Sequence, residues 1–172
     1  MCHLVAEQNY LGKQVEFELQ TGTFESTLDE KGRVVIPSLL RDRYTGSLVI
    51  TQGLESCVWI MTIAAYQALL KTFDNLDETL SCDEVEAFRY HHEAPARPAE
   101  IDQKTGRIPV PSALRTYANL SKDCLVLSID GHLEIWNKDE YSVFSSEKQA
   151  IAKEAKKKLA GKISLFPKRG QV

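Results

Sequence analysis

The chain has little of what catalytic and metal-binding proteins usually carry. Only four of its 172 residues are cysteine, and Cys2, Cys57, Cys82 and Cys124 lie 55, 25 and 42 residues apart. Structural zinc sites need ligand pairs at C-x2–4-C or H-x3–5-H spacing, and neither occurs. His91-His92, beside Cys82, comes nearest to a metal cluster. Neighbouring side chains point apart on a helix or strand, so this pair is expected to be a polar helix end. Cys57 and Cys124 sit in apolar runs and are expected to be reduced, buried small hydrophobes. There is no Gly-rich phosphate loop and no G-x-S-x-G elbow, and Asp29-Glu30 lies in a turn pattern rather than lining a pocket. An enzyme is therefore not expected, nor a catalytic residue, metal, cofactor or small-molecule substrate. No apolar run approaches the roughly 20 residues of a membrane-spanning helix. Met1-Cys2-His3-Leu4 has neither the basic start nor the apolar core of a secretory signal, and the expectation is a cytoplasmic protein without membrane contact.

A basic excess is also missing. Twenty-one Lys+Arg stand against 24 Asp+Glu, a formal charge of −3 and a pI near 5.8. Bulk charge thus argues against nucleic-acid binding, and any such function must come from a local arrangement of cations, multiplied by oligomerisation. The distribution is uneven: residues 1–137 hold 12 basic and 20 acidic side chains, residues 138–172 hold 9 and 4. At 43% hydrophobic and 26% charged, the chain can bury a core, which excludes wholesale disorder.

What is present is a repeat. Leu28-Asp29-Glu30-Lys31-Gly32-Arg33-Val34-Val35-Ile36-Pro37-Ser38-Leu39-Leu40-Arg41 returns as Ile101-Asp102-Gln103-Lys104-Thr105-Gly106-Arg107-Ile108-Pro109-Val110-Pro111-Ser112-Ala113-Leu114-Arg115. Each copy is followed by two β-rich runs around a glycine, 47–51 and 56–61 about Gly53, then 124–129 and 132–136 about Gly131. The polar stretch before each Gly-Arg reads as a tight turn in which Gly32 or Gly106 supplies positive φ. Arg33 or Arg107 then begins a strand, and Pro37 or Pro111 ends it and opens a short helix at its first position. Leu39, Leu40 and Tyr44 form the apolar side of that helical turn. A unit of about 40 residues is too small to bury its own core, so the two are expected to complete each other.

Helices fill the rest. Tyr66, Leu69, Leu70 and Phe73 follow helical spacing. Ser81-x-x-Glu84 and Asn137-x-x-Glu140 read as capping boxes, the first leading Val85 and Phe88, the second a long helix with Tyr141, Phe144, Ile151, Ala155 and Leu159. Segment 71–95 carries a net −5 and is expected to face solvent, and Pro95-Ala96-Arg97-Pro98 reads as a linker.

The Asp29-x-x-x-Arg33 core, its duplication, Gly53-Leu54-Glu55-Ser56-Cys57 and Glu134-Ile135-Trp136 closely resemble the MraZ family of bacterial DNA-binding regulators of the division and cell-wall gene cluster. The likeness covers roughly residues 24–145. It implies an α+β, mostly β fold of two tandem AbrB-like swapped-hairpin modules packed as an internal pseudo-dimer, with connecting helices. The corresponding division is an N-terminal extension at 1–22, modules at 23–69 and 98–141, a helical connector at 70–97, and a C-terminal helix with a basic tail at 142–172. The resemblance further implies a nucleoid-associated, ring-shaped, octamer-like homo-oligomer on short promoter repeats in double-stranded DNA upstream of its own operon. An antitoxin-like protein-interaction module with secondary DNA binding is the alternative.

One departure stands out. Asp102 and Arg107 are separated by four intervening residues, against three between Asp29 and Arg33, because of Thr105, and ungapped alignment from Gly106 puts Gln103 in the acidic position, leaving either as the partner of Arg107. Arg33 and Arg107 are the residues expected to reach phosphate or the O6/N7 edge of guanine, with Asp29 holding a guanidinium in place and Lys31 and Lys104 on phosphates. An exposed Asp29–Arg33 pair could equally be a turn-stabilising ion pair. Arg41, Arg43 and Arg115 read either as a solvated face or as a phosphate-contacting rim. Lys153, Lys156, Lys157, Lys158 and Lys162 read either as a solvated helix face or as a non-specific DNA contact.

Overall fold

The computed structural model describes residues 21–73 and 80–159; Cys2, Lys162 and most of segment 1–22 lie outside the described residues. The first repeat runs β1 (Gly22–Thr27), a turn, β2 (Arg33–Val35), α1 (Ser38–Arg41), then the hairpin β3 (Leu48–Gln52) and β4 (Cys57–Thr62). Two helices follow, α2 (Ile63–Phe73) and α3 (Cys82–Glu93). The second repeat has the same order: β5 (Arg97–Ala99), a turn, β6 (Arg107–Pro109), α4 (Ser112–Tyr117), then β7 (Asp123–Ile129) and β8 (His132–Asn137), with α5 (Lys138–Leu159) closing the series. Segment 95–98, read as a linker from its prolines, thus supplies part of a strand. Gly32 and Gly106 take φ of +73° and +67°, as tight turns require. Pro37 and Pro111 occupy the cap rather than the first helical position, because their ψ of 138° and 144° is still extended.

The fold is mixed, with antiparallel strand pairs throughout the described residues. Six strands form one sheet in the order β1-β7-β8-β4-β3-β5, and β2 pairs with β6 in a separate two-stranded ribbon. Pairing is reciprocal between the repeats: β1, which precedes the first turn, joins β7, while β5, which precedes the second, joins β3. The ribbon is extended by Ile36 N–H donating to Gly106 O at 2.8 Å and Val110 N–H donating to Gly32 O at 2.9 Å. Neither turn is therefore built from one repeat alone.

Alternation along the strands divides the sheet into two faces. Val34, Ile36, Leu40, Tyr44, Ile50, Val58 and Ile60 from the first repeat pack with Ile108, Val110, Leu114, Val126, Leu133 and Ile135 from the second in one core. Tyr44 and Ala118, at equivalent positions, are both fully buried, so the same position accepts a large side chain in one copy and a small one in the other. Leu39, read as part of the apolar turn, is half exposed, since a single short helical turn buries only Leu40.

The second face gathers Cys57, Leu125, Leu127 and Trp136 beneath Tyr141 and Phe144 of α5. Among them lies a carboxylate: Glu134 accepts from Trp136 Nε1 at 2.8 Å, Trp59 Nε1 at 3.1 Å and His132 Nε2 at 3.3 Å. Burial pushes its pKa up, but these hydrogen bonds outweigh that, and the carboxyl lies below its usual range. Asn137 Oδ1 accepts from Asp139 N–H at 2.8 Å, while Glu140 Oε1 takes Asn119 Nδ2 at 2.9 Å instead of returning to the cap, so only half of the expected box forms. Further along α5, Ile151 and Ala155 are exposed. The Ser81–Glu84 box is complete.

His91 and His92 correct the reading of a polar helix end. His92 is buried, its ring between Trp59 and Phe73 at centroid distances of 5.1 and 5.5 Å, both nearly parallel. His91 Nε2 donates to Gly53 O at 2.7 Å, and Thr51 Oγ1 donates to His92 O at 2.6 Å. The pair staples α3 to the tip of the β3–β4 hairpin, whereas Cys82 sits at the opposite end of the helix. Burial, then the neighbouring His91, lowers the His92 pKa. A histidine held below its unfolded value of about 6.5 contributes stability that is complete above that value and is lost as pH falls through the folded one. The melting temperature is expected to drop between about pH 7 and pH 5, and His92→Phe, which keeps the stack, to flatten that segment of the profile. Thermal melts of both proteins across this range check it.

Candidate nucleic-acid interface

The β2–β6 ribbon presents one buried and one outward face. Val34 and Ile108 point into the core, so by the period of two Arg33 and Arg107 share the outer face. Arg33 opposes Pro109 and Arg107 opposes Val35, which sets the two arginines diagonally across one pair of strands. Each is a little over one-third exposed.

Asp29 organises the first turn. Its Oδ1 accepts from the backbone N–H of Lys31 at 3.0 Å and of Arg33 at 2.9 Å. Its Oδ2 takes Arg33 Nε at 2.9 Å and Nη2 at 2.8 Å. The Arg33 side-chain hydrogen bond, followed by its backbone N–H, holds the Asp29 carboxyl below the usual range. Arg107 comes from the other repeat and brings its Nε to 3.6 Å from the same Oδ2. Neither residue left open by the sequence is its partner. Asp102 Oδ1 is occupied by the N–H groups of Lys104 and Thr105 at 2.9 and 3.1 Å, and Gln103 Nε2 donates to Ile101 O at 3.3 Å. The extra Thr105 lengthens the turn, so Asp102 caps backbone rather than reaching the arginine.

Arg41 and Arg115 also cross between repeats. A methyl group added at Gly106 would collide with the Arg41 guanidinium, and one added at Gly32 would collide with that of Arg115. Each helix arginine thus lies over the glycine of the other repeat's turn. Arg41 Nε is tied to Ile36 O at 2.8 Å, while the Nε atoms of Arg107 and Arg115 are enclosed without a hydrogen-bond partner among the described residues. Arg43 is placed elsewhere, near Gly131 in the β7–β8 turn. Lys31 and Lys104 are exposed on the two turns. The two turns with the arginines crossed over them hold Lys31, Arg33, Arg41, Lys104, Arg107 and Arg115 against Asp29, Glu30 and Asp102, a local positive excess on a chain whose net charge is −3. The identical Gly-to-Arg spacing in both copies, 32 to 41 and 106 to 115, marks the two arginines as equivalent but not that they cross between repeats. Nothing local in the sequence marked the Asp29–Arg107 approach.

Fold and site define a duplicated antiparallel-sheet protein whose two arginine-bearing turns are built jointly and open on one face. A family model described as "MraZ protein, putative antitoxin-like" matches residues 19–83 and 94–161, spanning both repeats. The chain is 35% identical over 138 residues to the transcriptional regulator MraZ of Treponema denticola, covering 78% of this chain and 93% of that protein. It is 34% identical to the protein of that name from Lactiplantibacillus plantarum, over 75% of this chain and 89% of the relative. With the one from Symbiobacterium thermophilum it shares 30%, over 80% and 98% respectively. The chain belongs to the MraZ family.

Proposed function

We propose that the chain is a sequence-specific, double-stranded DNA-binding transcriptional regulator, acting in the cytoplasm at the nucleoid. The observation that carries this reading is the meeting of Arg33 and Arg107 on the outer face of one ribbon, at Asp29. Planar guanidinium forks suit guanine edges and phosphates, and a carboxylate that already holds one of them reduces the rotamer freedom lost on binding. Lys31 and Lys104 supply phosphate contacts, with Arg41 and Arg115 as a rim; Arg43, beside Gly131, lies apart from it. The names of the relatives support the same reading.

In this proposal residues 23–69 and 98–141 are AbrB-like swapped-hairpin modules joined by connector 70–97, and the reciprocal pairing of β1 with β7 and β5 with β3 supports that description. Several chains close into an octamer-like ring that grips successive promoter repeats upstream of its own operon in the division and cell-wall cluster. Linked contacts raise affinity by orders of magnitude without stronger individual bonds, which compensates for an acidic chain. Titration of promoter fragments carrying one, two and three repeats, at several salt concentrations, tests this. Affinity is expected to rise steeply with repeat number and to fall with salt; equal affinities would remove the multivalent assembly from the mechanism.

A further inference from the structure

We propose that Arg33 and Arg107 act as a single two-pronged DNA contact, held in register by one carboxylate, Asp29, which is the positioning residue for both repeats. The inference rests on the DNA-binding reading above and deepens it, since two turns would otherwise be expected to work as two independent contacts.

The asymmetry of the turns carries the argument. Asp29 is fixed by two backbone N–H groups through Oδ1, so the direction of Oδ2 is set by the turn itself. Arg33 commits two of its five N–H donors to that oxygen, leaving three for a ligand. Arg107 approaches the same oxygen at 3.6 Å without a hydrogen bond, held by charge, and a movement of less than about 1 Å would complete one. Asp102 does not relieve it: its Oδ1 caps the backbone of Lys104 and Thr105, and among the described residues its carboxylate makes no ion pair with the Arg107 guanidinium. Two cations thus share one anion, and the cluster keeps one unbalanced positive charge at the point where duplex would dock. A carboxylate for each arginine would have neutralised it. Without Asp29 the two guanidinium groups would repel each other across the ribbon and lose their common orientation.

The consequence runs against simple electrostatics. Asp29→Asn removes a negative charge from a DNA-facing surface, which by bulk charge alone should tighten binding. If Asp29 positions both prongs, specific affinity for a duplex from upstream of the chain's own coding sequence should instead fall at least tenfold. Glu30→Gln is the charge-matched control on the same turn and should bind as well as, or better than, the unmodified chain. A cycle of Arg33→Ala, Arg107→Ala and the double variant leaves Asp29 in place and tests the same point if Asp29→Asn folds poorly. One joint contact makes the double variant no more than about threefold weaker than the worse single one, whereas independent contacts multiply their losses. Asp29→Asn binding as tightly as the unmodified protein, or arginine losses that multiply, would overturn the inference while leaving DNA binding intact. Failure of the unmodified protein to bind the promoter duplex at all would overturn both.

Discussion

Arg33→Ala is expected to abolish sequence-specific binding to promoter duplex, a loss of at least a hundredfold, with little change in melting temperature or assembly size. The arginine is more than one-third exposed and contributes no area to the core, so truncation falls among surface changes of about 0.5 kcal/mol in stability. Its ion pair with Asp29 does not alter that estimate greatly, because exposed pairs of this kind contribute about 0–1 kcal/mol. The effect on binding is much larger, because a bidentate arginine–guanine contact alone supplies about 1–3 kcal/mol of discrimination and the site is repeated in every subunit of the proposed ring. Electrophoretic shift and mass determination on the same preparation check both halves of the expectation. If Arg33→Ala dissociated the assembly, the turn would be a structural joint and its role in recognition would fall.

The largest expected effect on stability belongs to Glu134. Three side-chain nitrogens, from Trp59, His132 and Trp136, converge on its carboxylate under the sheet. Glu134→Gln keeps the shape but turns one acceptor oxygen into an amide that faces donors. Leaving a buried donor unsatisfied costs about 1–3 kcal/mol, so a loss of about that size is expected. The effect should also depend on pH. The folded pKa of Glu134 lies below the unfolded value, so its contribution is present above the ordinary carboxylate range and is lost as pH falls through the folded pKa. The difference between unmodified and Glu134→Gln proteins should therefore be greatest near neutrality and shrink in acid, which denaturant titrations at pH 7 and pH 4 can measure.

Local features were legible where the local chain determines them. Gly32 and Gly106 marked turns because only a residue tolerant of positive φ suits that place, and Ser81 with Glu84 marked a helix start because both groups of the box lie within one turn. The later strands were legible as β-rich runs about a glycine, and β7 is buried on both faces from Cys124 to Ser128. Contacts between distant segments were not readable in the same way. Two copies of one pattern have equal reason to pair with themselves or with each other, so the choice of β7 for β1 and β3 for β5 follows only from the assembled core. Arg107 was assigned to its own turn by sequence, yet in the longer turn the Asp102 carboxylate caps Lys104 and Thr105, and the ion pair of Arg107 is with the other repeat's acid. Glu134 and His92 look like solvent-facing residues in a strand and a charged helix, and what buries them arrives from elements far along the chain.

The crossed strand pairing also governs when the protein can form during synthesis. β1 finds its partner in β7 about a hundred residues later, a long loop to close before any reward is gained. A nascent chain that has released only its first half holds the β3–β4 hairpin but has an open sheet edge and no opposing layer for Val34, Ile36 and Leu40. Translation must carry β8 clear of the ribosome before either half closes, which makes the interval between the two repeats the period of greatest exposure to proteases and chaperones.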